Sequence, residues 1–280
     1  MKRLLSMFLL LLSGFGIAAA GESAPARPRA LIFGSVAMDI PAIMHRRLTP
    51  LTRYLSAHLG MPVELRLSPN MPAAIDAVAS GQVDIAYLTP VAYLRAHEKG
   101  KVRLLVKTVT RGKDSFRLMI VVREDSPIRQ VRDLVDRSFA FGDRAALLQR
   151  AVVVGAGVRL DELSGFRFLG HYDNIARAVL NGDFDAGILK DTMAYQWQGR
   201  GLRILYQSPD LPPYNIAVRH GLDPAIVQRL REAFLALDPR DPAHRAVIKA
   251  LDPKYDGFAP ATDADYDVVR RLTAPFRQVP

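Results

Sequence analysis

The chain has 280 residues, no cysteine and a formal net charge of +10. Without cysteine there is no disulfide framework and no thiolate nucleophile or metal ligand, and an apolar fraction of 49% excludes a disordered chain. Lysine and arginine are scattered along the whole length, which excludes a basic tail for nucleic acid and reads as a solvated surface with mild attraction for anions.

Residues 1–20 read as a cleaved secretory signal. Lys2 and Arg3 precede the apolar run Leu4–Leu12, and Ala18-Ala19-Ala20 before Gly21 fits a small-residue cleavage site. The run is too short to span a bilayer comfortably, and no cysteine follows it to carry a lipid. The mature protein is therefore expected in the periplasm.

Strand and helix then alternate. A strand is predicted over 30–36. Met44, Leu48, Leu51, Leu55 and Leu59 recur at helical spacing within 42–59, and Gly60 stops that helix. Strand 63–67, helix 72–80, strand 83–88, helix 91–99 and strand 102–109 follow. Strand 117–122 precedes a second series: strand 138–141, helix 145–154, strand 166–169, helix 173–181, strand 184–189 and helix 191–197. Strands at 202–206 and 215–218 lead into a helical tail from Asp223. Alternation of this kind predicts mostly parallel α/β sheets with helices on their faces. An internal echo supports two such units. Ala77 to Ala86 resembles Ala178 to Gly187, each a helix end, a glycine stop, then Asp84 or Asp185 before a buried strand. Both aspartates are expected to tie down loops.

Ligands of open α/β sheets sit beyond the carboxyl ends of strands, at helix N-termini. Four such junctions are Thr89-Pro90, Gly142 to Ala146, Gly170 to Asp173 and Lys190 to Thr192. They bring forward Tyr87, Thr89, Tyr93, Arg144, His171, Tyr172 and Lys190 as the lining of a small-anion site with aromatic walls, helix amides and one or two cations. No catalytic pattern accompanies them. The Gly14-Phe15-Gly16 run lies in the signal, Asp263 to Asp267 lacks the glycine of a calcium loop, and there is no G-x-S-x-G. No enzyme activity, metal or cofactor is implied.

The ordered set Pro50 to Leu55, Leu59 to Glu64, Gly81 to Tyr93, Arg123 to Ile128, Phe139 to Asp143, Gly170 to Asp173 and Asp185 to Gly187 resembles the phosphate/phosphite/phosphonate-type periplasmic substrate-binding proteins of ABC transporters. The resemblance implies a type II periplasmic binding fold: two α/β lobes joined by a hinge, with 28–118 plus 212–280 as one lobe and 119–211 as the other. The crossings would lie near Leu118–Val122 and Ser208–Tyr214. It implies capture of a small anion by a monomer, and as partner an ABC permease or, alternatively, a membrane sensor kinase. The family's anion contacts fall on Tyr93, the loop at 143–147 with Ala145, His171 and the region of Lys190. Where the family places a serine/threonine-rich turn, this chain has Arg144-Ala145-Ala146-Leu147-Leu148. That leaves backbone amides and Arg144 to hold the anion.

Overall fold

The computed structural model describes residues 30–35 and 40–277, so the signal segment lies outside the described residues. The first series is β1 (Leu31–Ser35), α1 (Pro41–Leu59), β2 (Val63–Leu67), α2 (Met71–Ala79), β3 (Ile85–Leu88), α3 (Pro90–Gly100) and β4 (Arg103–Thr110). The second is β5 (Leu118–Arg123), β6 (Ser138–Phe141), α4 (Leu147–Gly155), β7 (Gly165–Phe168), α5 (Tyr172–Leu180), β8 (Ala186–Lys190), α6 (Asp191–Trp197) and β9 (Leu202–Gln207). The chain then returns through β10 (Asn215–Val218), α7 (Pro224–Leu235), α8 (Pro242–Leu251), β11 (Tyr255–Pro260) and α9 (Asp267–Thr273).

Two sheets result. The first has the order β11-β4-β10-β3-β1-β2, and the second β7-β6-β8-β5-β9. β1 runs parallel to β2 and β3, and β6 runs parallel to β7 and β8, as the βαβ alternation requires. Each sheet has one antiparallel strand that follows a crossing: β10 lies between β3 and β4, and β5 between β8 and β9. The predicted stripe of α1 is the buried one. Met44, Leu48, Leu51, Leu55 and Leu59 pack with Phe234 of α7 and Ile248 of α8 over the first sheet. Gly60 ends α1 in the left-handed region at φ 63°, where a side chain would be strained.

The tail is not wholly helical. Tyr255–Pro260 forms β11, an edge strand antiparallel to β4. Its aspartate, glycine and proline hide the strand from propensity reasoning. An edge position accepts them, because only one side of the strand must pair. Beyond it, α9 leaves the first sheet and lies against α4 and α3. Val269 joins Val152 and Val153 in one buried cluster, and a Cβ at Gly155 would lie 2.6 Å from Leu272 Cδ2.

The echoed units do the same work in both sheets. Asp84 Oδ2 accepts from Ile32 N of β1 at 2.8 Å, and Asp185 Oδ2 accepts from Ser138 N of β6 at 2.8 Å. Each aspartate sits just before its strand, which is why β3 and β8 start later than the apolar pattern suggests. Each pins that strand to the start of a parallel neighbour.

The chain crosses between the sheets at 111–117 and 208–214. Leu118–Val122 is not itself a crossing. It is the buried part of β5, paired on both sides, and such a strand cannot bend without breaking two ladders. The two crossing segments hold each other: Phe116 and Leu211 exchange backbone bonds at 2.9 and 2.8 Å, and Leu118 N donates to Ser208 Oγ at 3.0 Å. Arg117 adds a forked contact to Asp210, with Nε to Oδ1 at 2.8 Å.

Candidate ligand-binding cleft

Between the sheets lies a cavity of about 250 Å³. One wall comes from the β3–α3 junction. Thr89 caps α3, its Oγ1 accepting from Ala92 N at 3.1 Å, and Pro90 takes the first helical position, where no N–H is needed. Thr89, Pro90 and Val91 line the cavity, with Met71 of α2 beside them.

The facing wall is the β6–α4 loop and the start of α4. Asp143 shapes the loop: its Oδ1 accepts from Ala145 N at 2.7 Å and its carbonyl from Ala146 N at 2.9 Å. Ala146 is the N-cap of α4 and supplies no side-chain acceptor, in contrast to Thr89. The first turn of α4 is thus without a side-chain cap where Ala145 to Gln149 line the cavity. Ala145 N, Ala146 N, Leu147 N and Gln149 N have acceptors within the loop and first turn, so it is the positive end of the helix dipole that favours negative charge at such a place. Phe116 from the first crossing, Leu118 from the start of β5 and Tyr214 from the second crossing form the back, and Tyr172 of α5 completes the lining.

Gln149 organises this wall. It is 6% exposed, its Oε1 accepts from Gly142 N at 2.7 Å, and its Nε2 reaches Tyr172 Oη at 3.4 Å. A Cβ at Gly142 would lie 2.8 Å from Gln149 Nε2 and displace the amide from this position. Gln149→Leu leaves the Gly142 amide without its acceptor, and a loss of about 1–3 kcal/mol is expected by chemical denaturation. A loss below about 0.5 kcal/mol would show that the loop finds another acceptor.

Burial raises the Tyr172 phenol pKa, against a smaller lowering by the Gln149 contact. Burial also raises that of Tyr214, helped by the negative potential of Tyr255 and Tyr172. Both rings are therefore neutral walls at physiological pH, and the Tyr172 hydroxyl, which accepts from Gln149 Nε2, can still donate. Among the described lining residues the only charge is the Asp143 carboxylate.

The sequence-derived candidates divide accordingly. Thr89, Ala145 and Tyr172 line the cavity. Tyr87 does not: it is buried behind Tyr214, ring centroids 5.3 Å apart, and its hydroxyl lies 2.7 Å from that of Tyr255 in β11. Tyr93 is also core. Its hydroxyl donates to Asp263 Oδ1 at 2.5 Å, and Asp263 in turn pairs with Arg270 of α9 at 2.6 Å. Arg144 points away, its guanidinium 5.3 Å from the centroid of Phe168. His171 is the exposed N-cap of α5 and makes no side-chain capping bond. Lys190 lies in an adjoining pocket that shares Phe116 with the cavity. Of the lining residues not foreseen, Gln149 had a signal, a lone amide on the buried face of α4. Phe116 and Tyr214 had none beyond their place beside the crossings.

Two α/β sheets joined by two hydrogen-bonded crossings, with a cavity at the facing helix N-termini, define a type II periplasmic binding protein. The model of the family described as the ABC transporter, phosphonate, periplasmic substrate-binding protein matches residues 33–266, and the chain belongs to that family. It is thus a periplasmic solute-binding protein of an ABC transporter. Among curated relatives, the phosphate-import protein PhnD of Mycolicibacterium smegmatis is 23% identical over 88% of this chain and 85% of its own. Among solved structures, PhnD1 from Prochlorococcus marinus in complex with methylphosphonate superposes with a TM-score of 0.69 at 17% identity, covering 89% of this chain and 99% of that one. A Xanthomonas citri protein bound to chloride gives a TM-score of 0.71 at 24% identity, over 88% and 96% of the two chains.

Proposed function

We propose that the mature protein, residues 21–280 after removal of the signal, captures a small organic oxyanion in this cleft and delivers it to an ABC permease. The observation that carries the reading is the uncapped N-terminus of α4, set opposite the N-terminus of α3 across a cavity with aromatic and aliphatic walls. The helix ends favour one anionic group. Among the described residues that line the cavity there is no cation, and this together with Asp143 disfavours a bare, highly charged ion. Met71, Val91, Phe116 and Leu147 favour an apolar body on the ligand. The relatives named for phosphate import and solved with methylphosphonate support an oxyanion. Membership of a transporter family favours a permease over a sensor kinase as partner. The lobes, 28–118 with 212–280 and 119–211, would act in a monomer by closing about the crossings at 111–117 and 208–214.

A thermal-shift screen of residues 21–280 tests this with alkylphosphonates, alkylsulfonates, small carboxylates, phosphate and sulfate. A ligand bound only by the folded state contributes about 2.7 kcal/mol at 100 times its Kd. Such an upward shift is expected from an organic oxyanion. Silence across the whole panel would overturn the reading.

A further inference from the structure

Phe116 also lines a second pocket, of about 160 Å³. Its walls come from the turn after β4 and the start of α6, and they carry three cations, Arg111, Lys113 and Lys190, with hydroxyls from Thr110, Ser115 and Thr192. The one carboxylate there, Asp191, is already engaged. Its Oδ2 accepts from Arg117 N at 3.0 Å and its Oδ1 from Thr192 N at 2.6 Å.

Lys190 is unlike the other lysines for which ion pairs are seen. Lys99, Lys107 and Lys249 each pair with aspartate, Lys107 with two. Lys190 is half-buried, its Nζ lies 4.9 Å from the Phe116 ring centroid, and among the described residues no carboxylate oxygen comes within 4 Å. Desolvation lowers its pKa, the more distant Asp191 and Asp252 opposing. An ammonium withdrawn from water without a counter-ion is costly to keep. A ligand anion would remove that cost.

The turn that carries the other two cations is held by hydrogen bonds. Thr110 and Lys113 exchange backbone bonds at 2.8 and 3.0 Å around Arg111 and Gly112, both left-handed at φ 51° and 71°. That is the pattern of a type I′ turn, in which glycine or asparagine would be cheaper than arginine. Asp256 fixes the turn by accepting from Gly112 N at 2.9 Å.

We propose that this pocket is a second anion subsite of the cleft, taking a carboxylate, phosphonate or phosphate group, so that the solute is a bifunctional organic acid with one charged end at α4 and the other at Lys190, past Phe116. The position of the first end rests on the function proposed above. The pocket itself rests on its own charge and geometry.

Two measurements on residues 21–280 test it. By calorimetry, 3-phosphonopropionate is compared with propylphosphonate, which lacks the distal carboxylate. One charge-assisted contact corresponds to a preference of roughly tenfold or more, and Lys190→Met should weaken the bifunctional acid about tenfold more than propylphosphonate. No preference in the wild type, or a preference that survives Lys190→Met, overturns the proposal. The second measurement stands apart from the cleft. Reductive methylation of Lys190, followed by peptide mass mapping with exposed Lys101 as reference, should be slowed severalfold by inorganic phosphate. The protection should persist in Ala146→Trp, which blocks the larger cavity. If neither acid titrates but phosphate protects Lys190, the cleft reading fails and the subsite stands. Equal rates with and without phosphate remove the subsite.

Discussion

Ala146→Trp should abolish solute binding while leaving the fold intact. Ala146 lines the cavity at the N-cap of α4 and is half-buried, with no side-chain hydrogen bond to lose. An indole there enters a space of only about 250 Å³ and covers the positive end of α4. A loss of affinity of at least about 100-fold, roughly 2.7 kcal/mol, is expected by calorimetry. The melting temperature of the free variant should stay within about 2 °C of wild type, as for a substitution that removes no packing. Arg144→Ala two residues earlier is the control. Its guanidinium lies over Phe168, outside the cavity lining, so a change of less than about threefold is expected from an exposed charge. Wild-type affinity in Ala146→Trp, or a large loss in Arg144→Ala, would move the site from the cavity to the outer surface of the loop.

The largest stability effect falls on Asp84, far from the ligand. Its side chain is 6% exposed and serves two partners, Ile32 N at 2.8 Å and Arg219 Nε at 2.7 Å. Its backbone joins the same cluster, its N–H donating to Ile32 O and its carbonyl accepting from Arg219 N. Asp84→Ala leaves a partly buried guanidinium without its carboxylate, with only the His220 carbonyl at 3.1 Å as acceptor, and a strand amide without an acceptor. Removing one member of such a pair costs several kcal/mol, and about 3 kcal/mol is expected because Arg219 keeps some contact with water. For a chain of this size that corresponds to a fall in Tm of roughly 6–12 °C. The echoed Asp185 makes bonds to Ser138 N and Oγ but lies at an exposed site with no cation, so Asp185→Ala should cost about 1 kcal/mol. Equal losses in the two variants would show that the ion pair to Arg219 adds nothing to Asp84.

The architecture was legible because its signals are local. The stripe of α1, the glycine stops and the alternation of strand and helix are each written within twenty residues, and the echo around Asp84 and Asp185 announced a second unit. The junctions at Thr89 and Ala145 were legible for the same reason, since a cap and a glycine turn are short-range patterns. Side-chain direction was not. Tyr87 could face the cleft or the core, and what decided it was Tyr255, on an edge strand whose glycine and proline disguise it. Tyr93 sits at the right helix start, yet Asp263, 170 residues further on, draws its hydroxyl into the core. Lys190 stands at the right strand end, but the ring of Phe116 separates it from the larger cavity. Phe116 and Tyr214 belong to crossings whose ends are set by pairing between distant strands, and such pairing leaves little trace in either segment alone.

Calorimetric titration of residues 21–280 with ethylphosphonate and with inorganic phosphate tests most directly whether the N-terminus of α4 holds an anion against apolar walls. The expected result is saturable one-site binding of ethylphosphonate, lost in Ala146→Trp, and at least about tenfold tighter than phosphate, the effect of burying two apolar carbons. Tighter binding of phosphate than of ethylphosphonate, or binding of ethylphosphonate that Ala146→Trp leaves untouched, would contradict it.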